Sequence, residues 1–278
     1  MKCKYFLGVL TLTLAVNVVA KDEPKEDGVK VGKGSALRNL VPAEGLEKQA
    51  TLQYSQLKRQ MADKKALAPD NYPELVRLRA IAKRIIPHAA RFNPRAEKWQ
   101  WEVILIGSNQ INAFCMPGGK IAFYTGILRT LKLTDDEVAM VMGHEIAHAL
   151  REHAREQAGK NTLTKIGAVS LSIATGGKYD GLVSAGANLL SLKFSRSDES
   201  DADLVGLDIA ARAGYDPRAG VTLWQKMSAA SKGAPPQWLS THPSGPSRIK
   251  EIQAHLKEAM PLYERADKPK PIIQPSRP

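Results

Sequence analysis

Residues 134–148 read TDDEVAMVMGHEIAH, and this stretch decides how the rest of the chain is read. Thr134 followed by Asp135, Asp136 and Glu137 is a strong helix start, because the Thr134 hydroxyl can cap the helix while Glu137 reaches back to the cap's own N–H. The pattern predicts a helix running to about Ala158, with Gly159 stopping it. On such a helix His144 and His148 lie one turn apart on one face, so both imidazoles can reach a single ion. Glu145 sits about 100° round from His144, near that ion but outside its ligands. Zinc asks for this chemistry: neutral nitrogen ligands at about 2.0–2.1 Å and a carboxylate beside the bound water to take its proton.

A catalytic zinc needs a third protein ligand and keeps a fourth position for water. His153 is five residues beyond His148, about 140° off its face, and is expected to point elsewhere. The segment Ser195 to Asp203, SRSDESDAD, is the better source. Glu199 and Asp203 are four residues apart on one helical face, which offers a ligand and, a turn later, a second carboxylate. Ala202 and Gly206 keep that face small, so the helix can approach the zinc helix closely. Glu199 is the expected third ligand. Asp203 is expected to accept the free N–H of a zinc-bound histidine and fix its tautomer. Asp198 and Asp201 point away and are expected to be solvated.

Outward from this centre the chain reads as one domain over residues 40–265. Leu46–Leu67 and Pro73–Phe92 have apolar residues at helical spacing. Trp101–Ile106 is aromatic and β-branched, a strand, and Ile111–Met116 and Lys120–Tyr124 flank Pro117-Gly118-Gly119 as a hairpin-like pair. Leu163–Thr175 and Leu182–Leu192 are small and apolar, too short to span a membrane, and read as buried or groove-lining helices. Asp198–Ala213, Pro217–Ser231 and Pro246–Tyr263 complete a helical C-terminal half. The expected fold class is α+β, mostly helical, with a small sheet and an HExxH active-site helix.

These residues also carry a resemblance that covers most of the chain. The HExxH at 144–148, the SRxxExxAD-like segment at 195–203, the stretch from Asn112-Ala113-Phe114 to Thr125-Gly126, and the later His242-Pro243 with Arg248 follow in the order seen in one family. The chain resembles the gluzincin zinc metallopeptidases of HtpX, BepA, LoiP and the CAAX prenyl protease, which also include a mitochondrial inner-membrane quality-control protease. It is most like the soluble LoiP-like members. The resemblance implies a zincin-like fold, zinc endopeptidase activity with His144, His148 and Glu199 as ligands and Glu145 as base, and work in envelope protein quality control. The chain departs from the family in showing no transmembrane helices like HtpX, no tetratricopeptide tail like BepA and no lipobox like LoiP.

In the expected reaction Glu145 accepts a proton from the attacking water and delivers it to the departing amine. His242 and Arg248 are candidates for stabilising the oxyanion. His242 has a second reading, as an imidazole that fills the open metal position and holds the enzyme latent. The Ile111–Met116 strand, with Asn112, Ala113 and Phe114, is the expected substrate platform, because an extended peptide can pair with a free strand edge. Extended or unfolded envelope polypeptides are the expected partners. A catalytically weak, chaperone-like binding module on the same fold is the competing reading. It predicts a missing ligand or base, and all four of His144, Glu145, His148 and Glu199 are present.

Composition agrees. With 278 residues the chain is long enough for a core that needs no disulfide framework, and 21 Gly and 17 Pro without a period exclude collagen-like sequence. Lys2 and Lys4, the apolar run Tyr5–Val19 and the small Val18 and Ala20 read as a secretory signal over residues 1–20, which predicts a soluble periplasmic protein. Its removal takes Cys3 and leaves Cys115 without a disulfide partner. Residues 21–39 read as a disordered linker and 266–278 as a loose Pro-rich tail. The net charge of +12 comes without aromatic-interleaved basic stripes or a nucleic-acid motif, so no nucleic-acid partner is expected. The basic surface admits peripheral contact with anionic envelope surfaces. Oligomeric state is not legible from the sequence.

Overall fold

The computed structural model describes residues 27–174, 188–231, 236–243 and 245–270, excepting the side chains of 165–174, 191 and 246. The signal segment, part of the 182–192 segment and residues 271–278 lie outside the described residues. Nine helices are described: α1 (Ala43–Asp63), α2 (Pro73–Ile85), α3 (Thr125–Thr130), α4 (Asp135–Leu150), α5 (His153–Ala174), α6 (Arg196–Arg212), α7 (Ala219–Ala230), α8 (Gln237–Thr241) and α9 (Pro246–Arg265). Three strands accompany them: β1 (Glu102–Ile106), β2 (Ala113–Met116) and β3 (Lys120–Tyr124). The α+β, mostly helical architecture expected from the sequence is the one observed. No helix among the described residues is long and apolar enough to cross a membrane.

The sheet has the order β1-β3-β2, with β1 parallel and β2 antiparallel to β3. Alternation along β1 separates two cores. Val103 and Leu105 face the main core, while Ile104 and Ile106 face a smaller cluster with Ala50, Tyr54 and Leu57 of α1. Gly118, at φ 84°, closes the β2–β3 hairpin, and the Gly119 N–H donates to Met116 O at 3.2 Å. β2 is left at the edge of the sheet.

α4 runs through the main core. Thr134 and Glu137 make the expected reciprocal cap, at 3.3 and 2.9 Å. Every residue from Glu137 to Leu150 is buried, as expected of a helix enclosed on all sides. α6 begins with an equivalent box between Ser195 and Asp198, so Asp198 is buried as a cap rather than solvated.

α4 and α6 touch at Gly143 and Gly206. A Cβ added at Gly206 would stand 2.7 Å from His144 N, and one at Gly143 would stand 2.8 Å from Gly206 O. The close approach expected at Gly206 is present, and Gly143 supplies its other half.

Three expectations are corrected. The α4 pattern does not run on to Ala158: it breaks at Arg151-Glu152, where Glu152 takes a left-handed φ of 60°, and α5 starts afresh at His153. Gly159 therefore stops nothing; it lies inside α5, where an added Cβ would fall 2.0 Å from Leu37 O. The stretch 21–39 is not a free linker from Asp27 onward. Val29 is buried in the main core and its N–H donates to the buried Asp208 at 2.9 Å, and Ser35 caps the short 3-10 turn Ala36–Leu40. The start of the tail is held as well, by Arg84 donating to Asp267 O.

Candidate metal centre

α4 presents His144 and His148, α6 presents Glu199, and the residue after α8 is His242. One donor atom from each of these four lies within 4.8 Å of the others, and all four side chains are buried. His144 Nε2 is 3.1 Å from His148 Nε2 and 3.5 Å from Glu199 Oε2, and His148 Nε2 is 3.5 Å from Glu199 Oε1. His242 Nδ1 lies 3.0 Å from Glu199 Oε1 and 3.3 Å from His144 Nε2. Donors held about 2.1 Å from one tetrahedral centre stand about 3.4 Å apart, so these separations fit a zinc ion. The chemistry fits too, since buried imidazole nitrogens and a carboxylate oxygen are the donor types that zinc takes.

The surroundings hold the carboxylates ionised. Burial pushes Glu199 up, but hydrogen bonds from His144, His148 and His242 outweigh it and leave its carboxyl far below the usual range. Burial likewise raises Asp203, and the Arg248 charge with the His144 hydrogen bond brings it down. Burial disfavours charge on His144, yet its bonds to Asp203 and Glu199 push it up to about 9. Burial holds its neighbour His148 well below the ordinary histidine value. Glu199 and Asp203 hold a proton on His144 beside the Arg248 guanidinium, and a metal cation would take that proton's place.

The remaining expected residues fall into place around the cluster. Asp203 Oδ1 lies 3.0 Å from His144 Nδ1, one turn beyond Glu199. Glu145 is buried beside the cluster, its Oε1 3.6 Å from His242 Nε2. Arg248 departs from expectation. Its Nε and Nη2 donate to the two oxygens of Asp203 at 2.6 and 2.7 Å, and its Nη1 to Glu199 Oε2 at 2.5 Å and Pro243 O at 3.2 Å. With its guanidinium 3.7 Å from the Trp224 ring centre, it stands behind the ligands rather than facing a reacting carbonyl. Asn112, Ala113 and Phe114 lie at the start of edge strand β2. Asn112 Oδ1 accepts the Ala113 N–H at 3.0 Å.

Some neighbours were not anticipated. Trp238 of α8 donates its Nε1–H to Glu145 Oε1 at 2.6 Å, stacks on His242 with centroids 4.9 Å apart, and donates its backbone N–H to Ile111 O at 3.1 Å. Phe194 stacks on His148 at 3.9 Å. His153, expected to face elsewhere, touches His148 at 2.9 Å and Asp201 at 3.1 Å. Asp201, expected to be solvated, accepts from Arg151 at 2.5 Å as well. These contacts join stretches with no local signature in common, and the left-handed turn at Glu152 that brings His153 back leaves no mark in the apolar spacing.

Comparison with known proteins agrees with this geometry. The model of Peptidase family M48 matches residues 75–256. The Mitochondrial metalloendopeptidase OMA1 of Arabidopsis thaliana is 40% identical over 178 residues, 63% of this chain and 36% of that protein. Its namesake in Schizosaccharomyces pombe is 33% identical over 207 residues, 72% of this chain and 58% of its own length. The Beta-barrel assembly-enhancing protease of Escherichia coli (strain K12) is 27% identical over 197 residues, 66% of this chain and 39% of its own length. The chain thus spans roughly a third to three fifths of these relatives. The gluzincin resemblance drawn from the motifs and the matched region coincide on the segment that carries the four donors, and the chain belongs to peptidase family M48.

Proposed function

We propose that the chain is a zinc-dependent endopeptidase that cuts internal peptide bonds of extended or unfolded polypeptides, exported to the cell envelope as a periplasmic protein. The observation that carries this reading is the buried, convergent donor set of His144, His148, Glu199 and His242 with Glu145 beside it. Zinc held there would polarise a carbonyl and lower the pKa of a water to near neutrality. Glu145, buried beside the donors, would serve as the base that takes a proton from the attacking water and passes it to the departing amine. Asp203 fixes the tautomer of His144 so that Nε2 keeps its lone pair for the metal. Arg248 acts as a positioning residue that holds Glu199 and Asp203.

Of the two readings of His242, the geometry favours the latency plug. Its Nδ1 points into the donor set, where it would hold an ion in place of a reacting water, and its Nε2 faces Glu145 Oε1 at 3.6 Å. Trp238 reinforces the closed form, since its indole holds Glu145 and its backbone holds Ile111 O at the head of β2. An incoming extended peptide would pair with the outer edge of β2 around Asn112, Ala113 and Phe114 once α8 and His242 withdraw. Such pairing reads backbone rather than sequence, which supports unfolded chains as substrates. The names of the relatives, two metalloendopeptidases and a protease, support peptide-bond hydrolysis.

The test combines zinc content with hydrolysis of casein and of a matched folded protein. Wild type, Glu145→Gln and His242→Ala should each bind one zinc. Glu145→Gln should lose about 100-fold or more in rate, and His242→Ala should cut faster than wild type. A large loss in His242→Ala would leave the oxyanion role instead of the plug. Equal cutting of folded and denatured substrate would refute the preference for extended chains. A zinc-loaded wild type and His242→Ala that both fail to cut would leave only a binding module.

A further inference from the structure

We infer that His153 and Asp201 form a positioning relay that commits the metal ligand His148 to one tautomer; the inference rests on the zinc reading above. His148 turns Nε2 toward Glu199 and His144, and its other nitrogen, Nδ1, lies 2.9 Å from His153 Nδ1. His153 Nε2 lies 3.1 Å from Asp201 Oδ2. That oxygen also receives the Nε–H of Arg151 at 2.5 Å, and His153 itself is 4% exposed.

The placement of protons follows from the acceptor at the far end. An ionised carboxylate only accepts, so His153 Nε2 carries the hydrogen. With its hydrogen on Nε2, His153 turns its Nδ1 lone pair toward His148 at 2.9 Å, and the hydrogen in that contact comes from His148 Nδ1. His148 Nε2 is left with its lone pair facing the other donors. The opposite tautomer of His148 would set two bare nitrogens against each other at 2.9 Å and put a proton where a metal ion binds.

The two zinc histidines are thus oriented by different means. His144 reaches a carboxylate directly, in Asp203. His148 reaches one through a second imidazole. The cause is the break between α4 and α5. Continuing the α4 helix would carry His153 about 140° away from His148, whereas the left-handed turn at Glu152 brings it back.

Zinc affinity, measured by competition with a chromophoric chelator on the full chain, separates this role from simple filling. His153→Phe keeps a ring against His148 and Phe194 but has no nitrogen, and it should bind zinc about 10–100-fold more weakly. His153→Gln offers an amide oxygen to His148 and an N–H to Asp201, and should recover most of the loss. Adding Asp201→Ala to His153→Phe should cost nothing further. The unfolding midpoint of the metal-free His153→Phe protein should match that of the metal-free wild type. A His153→Phe protein that binds zinc as tightly as wild type, or a Gln variant no better than Phe, overturns the relay while leaving the zinc site standing. Wild type that takes up no zinc overturns both. Nitrogen-15 NMR of the zinc-loaded wild type needs no variant: His153 protonated on Nε2 supports the relay, and His153 protonated on Nδ1 refutes it.

Discussion

Replacing Gly206 by alanine tests whether the contact between α4 and α6 sets the metal site. The new methyl carbon would lie 2.7 Å from His144 N, 2.8 Å from Gly143 C and 3.0 Å from His144 Cα. Non-bonded carbon contacts relax at about 3.5–4.0 Å, so the helices must part by roughly 0.7–1 Å. Those neighbours are backbone, which cannot swing aside as a side-chain tip can. Glu199 lies seven residues earlier on α6, about two turns away, and a rigid helix carries the displacement to it. A zinc site tolerates about 0.2 Å in its ligand distances, so Glu199 would leave its corner. Overpacking of this kind costs about 1–3 kcal/mol, and for a chain of this size that lowers Tm by roughly 2–12 °C. Thermal unfolding with and without chelator, beside a zinc titration, reads both effects. Gly45→Ala is the control, because its methyl would meet only Pro42 Cβ at 4.0 Å. If Gly206→Ala kept both its Tm and its zinc affinity, the argument that this contact positions Glu199 would be refuted.

Two further outcomes follow from the electrostatics of the site. Arg248→Met removes the cation between Glu199 and Asp203, and should destabilise the metal-free protein by about 3–5 kcal/mol through uncompensated buried charge; the zinc-loaded form should lose less, because the ion supplies positive charge. Arg248→Lys should recover only part, since an ammonium cannot bond both carboxylates as the guanidinium does; denaturant unfolding of both forms measures this. In the metal-free protein His144 is pushed up to about 9 from 6.5, so its contribution to stability is full below pH 6.5 and is lost as pH rises to 9. Because bound zinc takes the place of that proton, the gain in Tm on adding zinc should grow across the same interval; a gain that stays flat or shrinks would contradict the assignment.

Much of the site could be read along the chain because its rules are local. His144, Glu145 and His148 share a helix whose start is written in Thr134 and Glu137, and 3.6-residue geometry alone puts the two imidazoles together. Glu199 and Asp203 follow the same rule on a second helix, with small residues marking the face that meets the first. The same reasoning failed for His153, since it extended a helical period through Glu152, and one left-handed residue there is invisible to a pattern of apolar spacings. It also misjudged Gly159, where a missing side chain makes room for Leu37 rather than ending a helix.

The sequence by itself determined His144, His148 and Glu199 as donors, the two helices that carry them, the mostly helical class and the hairpin at Gly118, because capping, turn preference and helical period act within a few residues. Only the tertiary structure decided what surrounds those donors. Trp238 on Glu145, His242 against His144 and Arg248 against Asp203 are 93, 98 and 45 residues from the groups they touch. Contacts of that range are set by how helices pack and not by the chain between them, so no local pattern announces them.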